Sequence, residues 1–263
     1  MKFIRRIIYY CLFISLACLF ISLAQCVNIT LCDDNGLISI AELNSNSIVP
    51  LLGNINDTLK IVGTGFYVSG NGHILTASHI AQIPELFASF YNKLYKCQVI
   101  IEQFTVNKDN PDISKRLNWD IGLLKIDAKD TKPVKLSGKK DFRVGEQIAM
   151  IGFFERGASK KVGTTTTIKD ILTVGYISSV FPISLGDVYL GTRLVLDITA
   201  GPGSSGSPIF ELENGEVIGV LNSGKVRKIK LINYSKIIKI PLGIADAEPV
   251  HMLREHIKNE ISK

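Results

Sequence analysis

Cysteine is scarce in this chain, with five among 263 residues and no two at CxxC spacing. Cys11 and Cys18 sit inside an apolar run, which leaves Cys26, Cys32 and Cys97, an odd number. At most one disulfide can form, with Cys26–Cys32 as the available pair. A disulfide framework is therefore excluded, and metal binding is not expected. Excess charge is also missing. Lys2, Arg5 and Arg6 have no acidic counterpart in the first segment, and without them the formal +6 falls to about +3. That is too little for a nucleic-acid partner. Helical periodicity is absent until the last residues, and histidine is limited to four, so few groups are available as a base near neutral pH.

What is present begins with residues 1–24. Three basic residues precede an uncharged apolar run from Ile7 to Ala24, and Ser22-Leu23-Ala24 offers a small-x-small cleavage site before Gln25. The layout predicts an export signal. The run of about 18 residues is also long enough to remain in a bilayer as an anchor through residues 7–24. Lipid attachment at Cys18 or Cys26 is a third arrangement, and all three place residues 25–263 outside the cytoplasm. Asp33, Asn35, Gly36 and Glu42 mimic part of a calcium loop, but Leu31 occupies the first ligand position. Val27–Pro50 reads instead as a lead-in strand.

From Leu59 onward, short β-rich runs alternate with turns. Ile61–Val68 and His73–Ala77 flank Ser69-Gly70-Asn71-Gly72 as a hairpin. Leu86–Leu94 reads as a short surface helix and Cys97–Phe104 as a strand. Trp119–Ile126 is a buried strand entered through Asp120. After a polar connector, Asp127–Lys140, the texture repeats through Arg143–Phe154, Thr164–Val180, Tyr189–Ile198 and Val217–Asn222. Six basic residues and no acidic one are interleaved with apolar ones over Lys225–Lys239, which reads as the solvated face of a hairpin. This spacing indicates antiparallel barrels or a sandwich. One helix is expected, opening at Pro249 with an apolar stripe of Val250, Leu253, Ile257 and Ile261 that docks on the second half.

The run Gly201–Phe210 brackets Ser205 with glycines, which lets the chain turn tightly and present a hydroxyl beside free N–H groups. A hydroxyl needs a base to become a nucleophile near neutral pH. His73 lies beside a hairpin turn. His251 and His256 are five apart on a helix and diverge by about 140°. His79 is left. A working imidazole needs its second nitrogen held by a carboxylate, and Asp120, leading directly into an apolar strand, is the acid placed for it.

In the order His79, Asp120, Ser205, these residues sit in three of four motifs. The four are Gly63-Thr64-Gly65-Phe66-Tyr67-Val68, Gly72–His79, Asp120–Lys125 and Gly203-Ser204-Ser205-Gly206-Ser207-Pro208. Together with Phe142–Gly152 and Gly215–Val220, they resemble a chymotrypsin-fold (trypsin-like) serine protease of the HtrA/Deg type over about residues 59–260. The resemblance implies an all-β fold of two antiparallel six-stranded barrels, about 36–130 and 140–248, with a C-terminal helix at 249–262. It implies a serine endopeptidase acting on protein or peptide substrates without a cofactor or metal. Ser205 would be the nucleophile, His79 the base and Asp120 its orienter. The turn Gly203-Ser204-Ser205 would form the oxyanion hole, with the N–H groups of Gly203 and Ser205 as donors.

The sequence departs from its relatives at several points. Ser207 replaces the usual glycine, as in glutamyl endopeptidases, yet Leu221 stands where that group carries a histidine. Thr199 stands where trypsin-like enzymes carry an acid. With the substrate pocket placed at Thr199, Leu221, Asn222 and Ser223, elimination leaves a small or apolar P1 side chain. Only one helix follows Pro249, so a protease domain without PDZ is expected. The competing reading is a protease-fold binding module without activity at the cell surface.

Overall fold

A computed structural model describes residues 34–106, 117–154, 159–162, 165–185, 187–230 and 237–262. The expected export signal or anchor, the Cys26–Cys32 pair and most of the 107–117 loop lie outside these residues. The described chain opens with helix α1 (Asp34–Asn44) and a 3-10 turn (Ser45–Ser47). It continues through β1 (Ile48–Ile55), β2 (Thr58–Tyr67), β3 (His73–Thr76) and a single helical turn, α2 (Ser78–Ala81). Next come β4 (Phe87–Phe90), β5 (Lys93–Lys96), β6 (Gln98–Ile101), β7 (Thr105–Val106), β8 (Leu117–Asn118) and β9 (Gly122–Lys125). The second half holds β10 (Gln147–Gly152), β11 (Ser159–Val162), β12 (Thr165–Ile168), β13 (Ile171–Leu185) and β14 (Val188–Asp197). β15 (Pro208–Glu211), β16 (Val217–Lys230), β17 (Ile237–Pro249) and helix α3 (Arg254–Ile261) complete it.

The second half closes as expected into a six-stranded antiparallel barrel, β10-β13-β14-β17-β16-β15. The first half differs from the expected six-stranded barrel. It is one seven-stranded sheet in the order β5-β4-β1-β2-β3-β9-β6. Its two end strands are joined through Cys97 alone, so the sheet curls until those ends meet at that residue. The Cys97 N–H donates to the Leu86 carbonyl at 2.8 Å instead of entering a ladder between the ends. The curled sheet therefore stops short of a hydrogen-bonded barrel.

Strand alternation explains the nearly continuous apolar runs. On adjacent positions, Phe66 and Tyr67, Ile74 and Leu75, and Leu123 and Leu124 turn to opposite faces. One face joins Leu51, Ile80 and Ala88 inside the first sheet. The other joins Ala149, Ile151, Phe210, Val217 and Val220 in a core shared by both halves. Ile148, Met150, Ile209, Ile218 and Leu221 point the opposite way, into the second barrel. Each such large side chain contributes about 1.5–3 kcal/mol on burial, so the shared core joins the halves firmly.

Three local expectations are corrected. The lead-in segment is helical because Leu37, Ile40 and Asn44 share a face at spacings of 3 and 4, and Asn44 Nδ2 donates to the Ile40 carbonyl at 3.0 Å. Leu86–Leu94 is a hairpin, not a helix. Tyr91 and Asn92 have φ of 47° and 60°, a two-residue left-handed turn that pairs Phe90 with Lys93. Pro249 ends β17, pairing with Gly219, and helix α3 starts only at Arg254. The Val250 N–H still donates to the Ile218 carbonyl at 3.0 Å, which prolongs the strand. The stripe survives the shift. Val250, Leu253 and Ile257 are buried in the shared core, with Ile261 against it, so the C-terminal segment docks across both halves.

Candidate active site

His79 lies in the single turn α2. Ala77, Ile80 and Ala81 are buried around it and leave its side chain 46% exposed. The turn seats closely on β9, because a Cβ on Gly122 would lie 2.7 Å from that of Ala81. Asp120 follows fully buried Trp119 and precedes fully buried Ile121. The Trp119 N–H donates to the Phe104 carbonyl at 2.9 Å, and the Phe104 N–H donates to the Ile121 carbonyl at 3.0 Å. Between those anchors the carboxylate has little freedom.

Asp120 grips His79 at two points. The backbone N–H of His79 donates to Oδ1 at 3.0 Å, and Nδ1 lies 2.8 Å from Oδ2. Burial alone would push the Asp120 carboxyl up. The ring and backbone hydrogen bonds from His79, its charge and the Ser78 backbone together hold it below the usual carboxylate range. An ionised carboxylate only accepts, so Nδ1 carries the proton of the pair and Nε2 is the acceptor on a neutral ring. That is the tautomer a base requires.

The Ser205 turn comes from the second half but bears on the first. The Thr64 N–H donates to the Ser205 carbonyl at 2.8 Å, and Thr64 Oγ1 donates to the Gly203 carbonyl at 2.9 Å. Gly206 has φ of 87°. A Cβ there would fall 2.2 Å from both the Thr64 carbonyl and Thr76 Oγ1, and 2.9 Å from the Ala77 nitrogen, two residues before His79. Only glycine fits, and the fit puts the turn beside α2. Gly203, with φ of 94°, also needs its freedom.

The turn's N–H groups divide cleanly. That of Ser204 donates to the Gly201 carbonyl at 3.0 Å, so Ser204 is a buried brace and offers no N–H to an oxyanion. Its Oγ donates to the same carbonyl at 2.7 Å. The Gly203 and Ser205 N–H groups have no acceptor among the described residues.

Around the expected pocket, Thr199 is exposed, Asn222 and Ser223 are half-buried, and the Leu221 side chain is fully buried in the second barrel's core. His73 is half-buried with Nδ1 2.7 Å from Ser69 Oγ. Sequence reading missed the Thr64 and Thr76 hydroxyls and the Arg193–Glu248 ion pair, Nη2 to Oε1 at 2.7 Å, whose carboxylate is fully buried. Thr64 lies within a motif already singled out, but nothing local marks the partner of its hydroxyl, the Gly203 carbonyl 139 residues away.

Comparison with known proteins places the chain. A "probable periplasmic serine endoprotease DegP-like" of Halomonas elongata is 27% identical over 163 residues, covering 61% of this chain and 29% of that protein. A protein of the same name from Pseudomonas fluorescens is 28% identical over 190 residues, covering 70% and 33%. The chain thus spans about a third of the length of these relatives. Among solved structures, an inactive serine-to-alanine mutant of Rv3671c from M. tuberculosis H37Rv has a TM-score of 0.53 at 16% identity, covering 84% of this chain and 90% of that one. The serine endoprotease from Yersinia pestis has a TM-score of 0.53 at 17% identity, covering 85% and 66%. These structures share the two-part β fold. The pattern of the trypsin-like peptidase domain matches residues 63–220, from the Thr64 strand through the Ser205 turn, and by that match over more than half its length the chain belongs to the trypsin-like peptidase family.

Proposed function

We propose that this chain is a serine endopeptidase. Ser205 Oγ attacks the substrate carbonyl while His79 Nε2 takes the hydroxyl proton, and Asp120 holds the imidazole and stabilises the imidazolium. The Gly203 and Ser205 N–H groups bind the oxygen that becomes negative, a contribution of about 3–4 kcal/mol per donor in sites of this kind. His79 then returns the proton to the leaving amine. Water releases the acyl group by the same steps in reverse. The observation that carries this reading is the two-point grip of Asp120 on His79, which frees Nε2 as the acceptor.

A small P1 side chain is the preference this site supports. A Cβ on Gly224 would lie 2.9 Å from that of Ala200 and 3.1 Å from its carbonyl, so β16 and the segment before Gly201 already touch. With the Leu221 side chain turned into the core, Thr199, Asn222 and Ser223 are left as the accessible residues of the expected pocket. An exported location fits residues 1–24 and the word periplasmic in the relatives' names.

A fluorophosphonate probe tests the chemistry. It labels the wild type and leaves Ser205→Ala unlabelled, while both unfold at nearly the same temperature. A peptide library then shows cleavage after Ala, Ser or Val in preference to Lys, Glu or Phe. A folded wild type that takes no label and cleaves nothing would return the protein to the binding-module class.

A further inference from the structure

The two residues whose N–H groups would bind the oxyanion have their carbonyls held by one residue, and it belongs to the other half of the molecule. The Thr64 N–H donates to the Ser205 carbonyl at 2.8 Å, and the Thr64 hydroxyl donates to the Gly203 carbonyl at 2.9 Å. The hydroxyl's role is unambiguous. The Phe153 N–H donates to Thr64 Oγ1 at 2.9 Å, and a backbone N–H can only donate. The single O–H of Thr64 is therefore committed to Gly203. Thr64 is held in turn, since Thr76 Oγ1 donates to its carbonyl at 2.7 Å, and both threonines are fully buried.

We propose that Thr64 is the positioning residue of the oxyanion-binding turn. Fixing the Gly203 carbonyl fixes the Gly203–Ser204 peptide plane, which turns the Ser204 N–H inward to the Gly201 carbonyl. Fixing the Ser205 carbonyl sets the other end. The N–H groups of Gly203 and Ser205 are then left as the turn's unspent donors in a fixed arrangement. Because Thr64 sits on β2, bonds Phe153 beyond β10 and grips the turn before β15, one hydroxyl ties the donors' geometry to the docking of the two halves. Thr64 touches no substrate. Its effect runs through the turn and is felt where charge develops, so it acts on turnover and not on substrate affinity.

This assignment rests on the serine endopeptidase reading, and the experiment separates the two. In the full chain, Thr64→Val keeps the branched shape and removes the hydroxyl, whereas Thr64→Ser keeps the hydroxyl and removes the methyl. With a quenched peptide substrate, Thr64→Val lowers kcat on the order of ten- to a hundredfold with KM within about twofold. Thr64→Ser stays within about threefold of the wild type in both. Fluorophosphonate labelling slows in Thr64→Val by a similar factor. Should Thr64→Val fail to fold, Thr76→Val loosens the same clamp one bond further out and lowers kcat several-fold at constant KM. A kcat unchanged in the tested valine variant, or equal losses in the valine variant and Thr64→Ser that track thermal stability, would overturn the assignment alone. A wild type that neither labels nor cleaves overturns the enzymatic reading and this one with it.

Discussion

Beside the first sheet, the proposed base and acid are joined by side chains, with a carboxylate reaching across 41 residues of sequence to hold an imidazole and its main chain. In the second barrel, the proposed nucleophile sits on a turn braced mainly through its backbone. Gly206 donates to the Leu221 carbonyl, Leu221 donates to the Ser207 carbonyl, and Ser207 donates to the Ser204 carbonyl, at 2.8, 2.8 and 3.0 Å. One half fixes chemistry by choosing side chains, the other by choosing glycines. The first can be weakened one functional group at a time. The second fails when a methyl is added.

The largest expected effect breaks the first half's mode. Asp120→Asn keeps the shape but no longer selects the Nδ1–H tautomer, and kcat/KM for peptide hydrolysis drops on the order of 10³–10⁴-fold with the fold retained. Gly206→Ala tests the second mode. The added carbon collides with the Thr64 carbonyl and Thr76 Oγ1, so the turn must shift, and kcat falls on the order of a hundredfold although no reacting group has been touched. An alanine variant with full activity would show that the backbone seat is not what positions Ser205.

Stability gives a third contrast. Glu248 is fully buried, and Arg193, with its side chain 40% exposed, is its ion-pair partner. Arg193→Ala is expected to cost about 2–3 kcal/mol in chemical denaturation at neutral pH. That is below the range for a wholly buried pair because the guanidinium is partly solvated. The smallest effect is one of sign. Burial raises the Glu248 carboxyl, and Arg193 only partly offsets it. Its contribution to stability is therefore complete below the usual carboxylate range and is lost as pH rises through its raised pKa. Asp120 is lowered, so its contribution is complete above the usual range and is lost as pH falls. Thermal unfolding followed from about pH 3 to 7 should show Glu248→Gln flattening the upper side of the profile and Asp120→Asn the acid side. Identical slopes in the two variants would remove this contrast between the halves.

Much of this was legible in the sequence where the physics is local. Short apolar alternations marked the barrel strands. Asp120 announced itself by being charged at the mouth of a buried strand, and the glycines around Ser205 by permitting a turn that other residues cannot make. Elements that depend on distant partners were not legible. Leu37, Ile40 and Asn44 form a stripe too short and polar to stand out until a core lies beneath it. Tyr91-Asn92 makes a hairpin turn without the glycine that usually signals one. Thr64, whose hydroxyl reaches Gly203 across 139 residues, and Arg193, whose partner is 55 residues on, carry no local mark of their pairing. The open first sheet depended on β5 pairing with β4 and β6 with β9 instead of with each other, which no local pattern marks.

The core shared by the two halves has a consequence for how the molecule comes apart. Strands that offer one face to their own half and the other to a common interior cannot lose a neighbour without exposing half of their apolar surface to water. The halves should therefore melt as one cooperative unit, with calorimetric and van't Hoff enthalpies in agreement. Under limited proteolysis the protein would then pass from whole to fragments without a long-lived half-molecule. Since the proposed base and nucleophile come from opposite sides of that interior, no partly folded form would keep them together.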